Sequence, residues 1–190
     1  MSTLKVGAIQ STTGNAAITV PNAGGLGVAS IKSTTGNAAL TVAASGLVTT
    51  SVKHAFYMYR STAQSITSGG YQKIQYDASR INLGGGVTTG SSAKYTVPTG
   101  GDGLYFLNAH NRYESGSTFN AFVGIKLNDT GIVGSYYKNE YYDGFDVFTI
   151  RELSAGDIIE VQVSHSHSSA LNVGASDQGD TAFMCGYRLG

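Results

Sequence analysis

The stretch "GLYFLNAHNRYE", residues 103–114, is a long strand candidate in this 190-residue chain. It is rich in aromatic and aliphatic residues, which favour strands, and the turn signal "TGGDG" precedes it. Eight further strand candidates lie around it, separated by Gly-, Ser- and Asp-rich turns. They are residues 54–60, 71–77, 93–98, 119–129, 131–137, 145–152, 157–167 and 181–189. The turns include "LGGGVTTGSS" at 83–92 and a hairpin turn predicted at 128–130.

No segment between these candidates is long enough, or periodic enough, to be a crossover helix. Closely spaced strands without helices are typical of antiparallel sandwiches and jelly rolls. The sequence from residue 51 to residue 190 therefore predicts one all-β head domain.

The first 50 residues contain a repeat: "STTGNAAITV" at 11–20 recurs as "STTGNAALTV" at 33–42, 22 residues later. The Gly-Asn pairs inside the repeats suit tight reversals, so each copy predicts a β-hairpin. An isolated hairpin is marginal in water, so residues 1–50 are predicted to be an anchoring segment that lies against a partner. The predicted anchoring side chains are Leu4, Val6, Ile9, Ile18, Val20, Leu26, Val28, Ile31, Leu40 and Val42.

The composition gives no sign of a charged partner. Lys plus Arg and Asp plus Glu both number 12, so neither nucleic acid nor an anionic membrane is expected to bind. The single cysteine, Cys185, has apolar neighbours and is predicted to be a buried thiol. No signal peptide and no membrane-spanning apolar run is recognisable, and the protein is expected to be made in a cytoplasm.

Several motifs of residues 52–190 resemble the globular head of complement one-q and its tumour necrosis factor relatives. They are "YRS" (59–61), "YQKIQYD" (71–77), "YTVP" with "GLYFLNA" (95–109), "LSAGDIIEVQV" (153–163) and "FMCGYRL" (183–189). The resemblance implies an antiparallel jelly roll that assembles as a homotrimer.

The Gly-, Ser-, Thr- and Asn-rich leader with short β-repeats resembles virion proteins of tailed bacteriophages. This resemblance implies a structural protein of the virion, most simply a capsid decoration or cement protein anchored on the major capsid protein through its repeats. The alternative is a tail-fibre or receptor-binding knob that recognises a host-surface glycan or protein.

The segment "GSYYKNEYYDGF", residues 134–145, concentrates aromatic side chains. Tyrosine combines a large rigid surface with a polar tip, which suits both protein interfaces and sugar-binding faces. Subunit contact in a trimer is the preferred interpretation, and glycan binding is the alternative. The residues concerned are Tyr136, Tyr137, Tyr141, Tyr142 and Phe145.

Two patterns could supply metal ligands. His165 and His167 would share one face of a strand, and Asp143 and Asp146 flank a possible calcium turn. Neither pattern carries the further ligands of a dedicated site, so a polar strand end and an Asp-Gly turn are the preferred interpretations. No metal or cofactor is expected, and the absence of a recognisable catalytic motif predicts that the protein is not an enzyme.

Overall fold

A computed structural model describes residues 30–32, 38–42, 48–50, 53–114, 118–140, 144–174 and 181–189. The chain divides into two compact units, Met1–Ser51 and Val52–Gly190. Among the described residues, no helix has the length and apolar character needed to cross a membrane.

The first unit contains a three-stranded antiparallel sheet in the order β1-β2-β3. Its strands are β1 (Ser30–Lys32), β2 (Ala38–Val42) and β3 (Val48–Thr50). Ile31 lies opposite Leu40 across β1 and β2, so the hairpin predicted for the second repeat is confirmed. Strand β3 was not predicted. The first repeat lies outside the described residues.

The second unit is built of thirteen described strands. They are β4 (Ala55–Tyr59), β5 (Gln64–Ile66), β6 (Gln72–Lys73), β7 (Ala78–Leu83), β8 (Val87–Thr88), β9 (Lys94–Thr96), β10 (Gly103–Glu114), β11 (Phe119–Leu127), β12 (Gly131–Glu140), β13 (Gly144–Leu153), β14 (Ile158–His165), β15 (Leu171–Val173) and β16 (Ala182–Arg188). A single 3-10 turn, Gly90–Ser92, is the helical element of the described part.

These strands form two antiparallel sheets. The seven-stranded sheet has the order β5-β15-β10-β16-β4-β7, with β13 also paired to β10. The six-stranded sheet has the order β12-β11-β14-β9-β8, with β6 also paired to β14. The all-β antiparallel architecture predicted from the sequence is confirmed, and strand β10 has the same bounds as the quoted stretch.

The core lies between the two sheets, and β10 shows how the sequence builds it. Along this strand the odd-numbered side chains from Tyr105 to Tyr113 are buried, as the two-residue period of a strand requires. Across the sandwich, Phe56 stacks on Tyr95 with ring centroids 3.9 Å apart. The buried Tyr105 hydroxyl donates a hydrogen bond to the Gly101 carbonyl at 2.8 Å, so its polar tip is satisfied.

The predicted turn at Asn128 and Asp129 joins β11 to β12. Both residues have positive φ, 51° and 59°, which is the backbone of a type I′ hairpin turn. Asn and Asp tolerate this conformation better than other non-glycine residues. The segment is therefore a hairpin turn, as the sequence predicted.

Asp77 and the buried Arg60 tie the end of β4 to the segment that precedes β7. The Asp77 carboxylate accepts hydrogen bonds from the Ser61 amide at 2.6 Å and the Thr62 hydroxyl at 2.5 Å, and lies 3.4 Å from the Arg60 guanidinium. Burial alone would raise the pKa of Asp77. The hydrogen bonds and the Arg60 charge outweigh burial and lower that pKa.

We expect Asp77→Asn to lower the free energy of unfolding at pH 7 by about 1–3 kcal/mol, because charge-assisted hydrogen bonds are lost. A carboxyl whose pKa falls on folding stabilises above its unfolded pKa, about 3.9, and loses that contribution as pH falls through the folded value. Urea unfolding at pH 7, 5 and 3.5 should show the difference from wild type shrinking below pH 4.

The control for this change is Asp129→Asn, at an exposed carboxylate paired with Lys126. Little change in stability is expected for it, because exposed ion pairs contribute little. Equal stability of the Asp77 variant and wild type at pH 7, or a difference at pH 3.5 as large as that at pH 7, would contradict the assignment.

Candidate functional site

The outward side of the seven-stranded sheet carries a broad group of large apolar side chains. In β10 the even-numbered Leu104 and Phe106 point away from the core, because the odd-numbered neighbours point into it. Strands β4, β7, β13 and β16 add further members on the same side. We call this group the aromatic face: Tyr57, Tyr59, Ile81, Leu83, Leu104, Phe106, Phe148, Ile150, Phe183 and Tyr187.

Strand register arranges the outward side chains in rows across the sheet. One row runs Ile150, Phe106, Tyr187, Ala55, Leu83; the next runs Phe148, Asn108, Cys185, Tyr57, Ile81; the third runs Asp146, His110, Phe183, Tyr59, Ala78. Residues far apart in the sequence therefore become neighbours on one surface.

The rings of this face contact one another. Phe106 lies 6.4 Å from Phe148 and 5.5 Å from Tyr187, and Phe183 stacks on Tyr57 at 5.2 Å, all measured between ring centroids. These separations lie within the range of favourable aromatic pairs. The rings of the face thus form two contacting groups and are not a set of isolated side chains.

Arg80 borders the aromatic face at the outermost strand. Tyr57 of β4 lies opposite Ile81 of β7, and Met58 lies opposite Ser79. Arg80, between Ser79 and Ile81, is therefore an extra residue with no residue opposite it on β4. Its guanidinium lies 4.7 Å from the centroid of the Tyr59 ring and 5.9 Å from that of Tyr57. These cation–π contacts place a fixed positive charge at the border.

Much of the aromatic face is open to solvent in the single chain. Phe148 is 70% exposed, Ile150 55% and Tyr187 49%. Leu83, Leu104 and Ile81 are also exposed. The exposed area of these six side chains together equals that of about three fully exposed large side chains, on the order of 600 Å². This is at the upper end of the largest apolar patches on monomeric proteins, and such patches mark interaction sites.

A polar pair borders the aromatic face. His110 Nδ1 is 3.2 Å from Asp146 Oδ1, and the His110 ring stacks on Phe183 with centroids 5.3 Å apart. The ring also covers Gly144 so closely that a Cβ there would lie 2.4 Å from His110 Cε1. The histidine is therefore held in place by its neighbours on both sides.

Cys185 lies between Asn108 and Tyr57 on this outward side and is partly exposed. The prediction of a buried thiol is wrong, because the strand's alternation points Met184 inward and Cys185 outward. Partial burial raises the pKa of the Cys185 thiol, and the Asp146 carboxylate adds to the increase. The thiol is therefore protonated at neutral pH, so it is a poor nucleophile.

The structure separates the predicted aromatic segment into different environments. Tyr136 is partly exposed and contacts Phe145, with centroids 6.2 Å apart. Phe145 is only 4% exposed and packs against Tyr113, so it belongs to the core and offers no binding face. The side chain of Tyr137, and all of Tyr141 and Tyr142, lie outside the described residues.

The predicted metal candidates do not come together. His165 is buried, with Nε2 2.9 Å from the Ile66 carbonyl, and packs edge-on against Tyr113. The His167 ring lies 6.5 Å from it and accepts a hydrogen bond from the Ser169 amide. Asp146 pairs with His110, and Asp143 lies outside the described part. Within the described part, no cluster of three or more His, Cys, Asp or Glu residues could hold a metal ion.

The predicted anchoring side chains also lie outside what the structure describes. Ile31, Leu40 and Val42 are placed in strands β1 and β2 by their backbone alone. The remaining seven residues of the set precede residue 30, so their role stays a prediction.

Two short runs in the sequence are a signal for the aromatic face. The runs "FYMY" at 56–59 and "LYFL" at 104–107 are apolar at consecutive positions, whereas a strand with one solvated face alternates. Consecutive apolar residues predict a strand covered on both sides. In the described chain only one side is covered, by the other sheet.

Comparison with solved structures identifies the fold. Two crystal structures of murine APRIL, at pH 8.5 and pH 5.0, match with TM-scores of 0.53 and 0.52 at 15% sequence identity, covering 72% of this chain and 99% of APRIL. The globular domain of zebrafish complement 1qA matches with a TM-score of 0.48 at 11% identity, covering 73% of this chain and 98% of that domain.

No protein-family model and no curated protein sequence matches this chain. At 15% identity the APRIL likeness establishes the fold alone. The second unit is thus a tumour necrosis factor-like jelly roll, as its motifs implied.

Proposed function

We propose that this chain is a structural protein that assembles through its aromatic face into a homotrimer. The observation that carries the proposal is the exposure of Phe148, Ile150 and Tyr187, all on the outward side of one sheet. Burying apolar surface is the main source of free energy in protein association. The six-stranded sheet covers only the inward side of the seven-stranded sheet. A partner that binds the aromatic face would bury the apolar side chains on the outward side.

The chemistry of the face favours another copy of the chain over a glycan. Aliphatic side chains such as Ile81, Leu104 and Ile150 lie among the rings, and the polar groups Arg80, His110 and Asp146 lie towards the border. Apolar cores with polar rims are typical of protein interfaces. A stable interface buries about 800 Å² on each partner, which the apolar area and its polar border together can supply.

The choice of three copies comes from the sequence motifs that resemble trimeric heads. In a ring of three, the aromatic face of each copy contacts a different surface of the next copy. Such a heterologous contact forms a closed ring when the rotation that relates successive copies closes. Three heads around one axis would bury three copies of the aromatic face together.

We further propose that the trimer is a component of a bacteriophage virion, decorating or cementing its capsid, with residues 1–50 as the anchor. The support is the near-identical repeat and the short sheet β1-β2-β3, which is too small to supply a core. A tail-fibre or receptor-binding knob is the second candidate, because a trimeric head on a short anchor would serve that role equally.

Deleting residues 1–46 is expected to leave a folded, trimeric head that no longer attaches to particles. The described core of the head consists of residues from Phe56 onward, and all of them are retained after the deletion. Circular dichroism, sedimentation and co-sedimentation with particles would measure the three properties. An unfolded product, or a head that attaches as well as the full chain, would contradict this division of roles.

Particles that lack the protein distinguish the two candidates. A decoration or cement protein predicts particles that lose integrity on heating or dilution but adsorb normally. A receptor-binding knob predicts intact particles that fail to adsorb to host cells. Electron microscopy of intact particles would locate the protein, and its absence from every particle would overturn both.

A further inference from the structure

We propose that Asn108 determines which surface of the next copy the aromatic face accepts, because its side-chain amide needs a hydrogen bond from that copy. This inference rests on the proposed self-association and names what the partner surface must present. Asn108 lies in the middle row of the face, between Phe148 of β13 and Cys185 of β16. Among the described residues, its Oδ1 is buried and has no hydrogen-bond partner.

The neighbours of Asn108 in its own chain do not supply this hydrogen bond. Even-numbered residues of β10 point outward, so four side chains surround the amide on that side: Phe106, His110, Phe148 and Cys185. Phenylalanine rings carry no conventional donor or acceptor, and a protonated thiol is only a weak donor. The Nδ1 atom of His110 lies 3.2 Å from Oδ1 of Asp146. The Asn108 amide is therefore a polar group with unused hydrogen-bonding capacity among apolar side chains.

Covering the aromatic face changes the environment of this amide. In the single chain Asn108 is half-buried, so water still reaches part of its side chain. A bound copy removes that water, and a buried amide without hydrogen bonds costs free energy. Rotation about the Cβ–Cγ bond exchanges the positions of Oδ1 and Nδ2, so the amide can accept from a donor or donate to an acceptor. A partner surface with a polar group opposite Asn108 is therefore favoured over one that is apolar there.

The apolar side chains of the face do not make this distinction. Phe106, Phe148 and Ile150 can be buried against many apolar surfaces, because the hydrophobic effect has no preferred direction. A hydrogen bond, in contrast, requires its donor and acceptor within about 3.2 Å and close to a straight line. The apolar side chains thus supply most of the association free energy, and Asn108 fixes how the copies align.

The test compares Asn108→Leu with Asn108→Gln by sedimentation equilibrium of the full chain at pH 7. Leucine has no amide, so the polar group of the next copy is left unpaired. The concentration at half-assembly should therefore rise about tenfold, the equivalent of about 1.4 kcal/mol. Glutamine extends as far as leucine and keeps the amide, so its midpoint should stay within about threefold of wild type.

Thermal unfolding checks that both variants are folded, at a concentration where all three proteins are monomeric, since assembly itself stabilises the fold. Similar unfolding midpoints are expected, because the side chain at position 108 points away from the core. A crystal structure of the assembled wild-type protein should place a polar atom of the next copy within about 3.2 Å of the Asn108 amide.

An Asn108→Leu variant that assembles as tightly as wild type, or more tightly, would overturn this inference, because no hydrogen bond would then have been lost. Equal weakening by leucine and glutamine would also overturn it, since the larger side chain would be the cause. An Asn108 amide that faces only apolar atoms of the next copy would do the same. These three results leave the proposed self-association standing. Wild-type protein that is monomeric at every accessible concentration would overturn the inference and the proposed function together.

Discussion

Replacing Phe148 by aspartate is expected to convert the assembled protein into folded monomers. Phe148 is the most exposed large apolar side chain described, and it lies next to Phe106 within the aromatic face. Truncating an aromatic anchor at an interface costs about 2–4 kcal/mol of association free energy, and burying an unpaired carboxylate adds several more. The association constant should therefore fall by at least about a thousandfold.

The same substitution should leave the fold intact, because the Phe148 side chain points away from the core on the outward side of β13. Sedimentation velocity would report the loss of assembly, and thermal unfolding would report the preserved fold.

The matched control is Tyr71→Asp. Tyr71 is a similarly exposed aromatic residue, at 64%, but it contacts Phe122 of the six-stranded sheet and lies off the aromatic face. This variant should assemble like wild type. Assembly of Phe148→Asp with the wild-type midpoint, or equal loss of assembly in both variants, would contradict the assignment of the interface.

The second large effect is expected inside the core, at Gly186 of β16. A Cβ at this position would lie 2.8 Å from Leu107 Cδ2, 2.8 Å from Phe56 Cε1 and 2.9 Å from the Phe106 carbonyl oxygen. Two of these atoms belong to buried side chains and the third to the backbone of β10, so the strands themselves must move. Gly186→Ala should lower the free energy of unfolding by about 2–3 kcal/mol.

Gly131→Ala is the control for this substitution. Gly131 begins strand β12, and a Cβ there would have no atom within 4 Å. Alanine at this position should leave stability unchanged or raise it slightly, because the unfolded chain loses conformational freedom. Urea unfolding of both variants at one chain concentration makes the comparison, since assembly itself stabilises the fold. Equal stabilities would show that the core around Gly186 is looser than described.

The sequence predicted the long strands well, because they combine aromatic and β-branched residues with clear turns at both ends. Strand β10 and the hairpin at Asn128–Asp129 follow directly from such signals. Strand β7 was missed because its apolar residues, Ile81 and Leu83, are few and are followed by "GGG" at 84–86, which was taken as part of one long turn. Between residues 71 and 77, only Gln72–Lys73 is a strand.

The candidate site was harder to predict than the fold. Its members come from five strands, and Tyr57 and Phe183 become neighbours only through the pairing of β4 with β16. Sequence clustering instead drew attention to the Tyr-rich segment, where Phe145 is a core residue. A local cluster of aromatic residues indicates a binding surface only when the side of the sheet that each side chain faces is known. Strand register, in contrast, brings together residues that are far apart in the sequence.

The mass of the full chain in solution tests the central claim most directly. Sedimentation equilibrium at micromolar concentration and near-neutral pH should give three times the mass of one chain, with dissociation on dilution. A mass equal to one chain at every accessible concentration would contradict the account, because the aromatic face would then be exposed without a second copy to cover it.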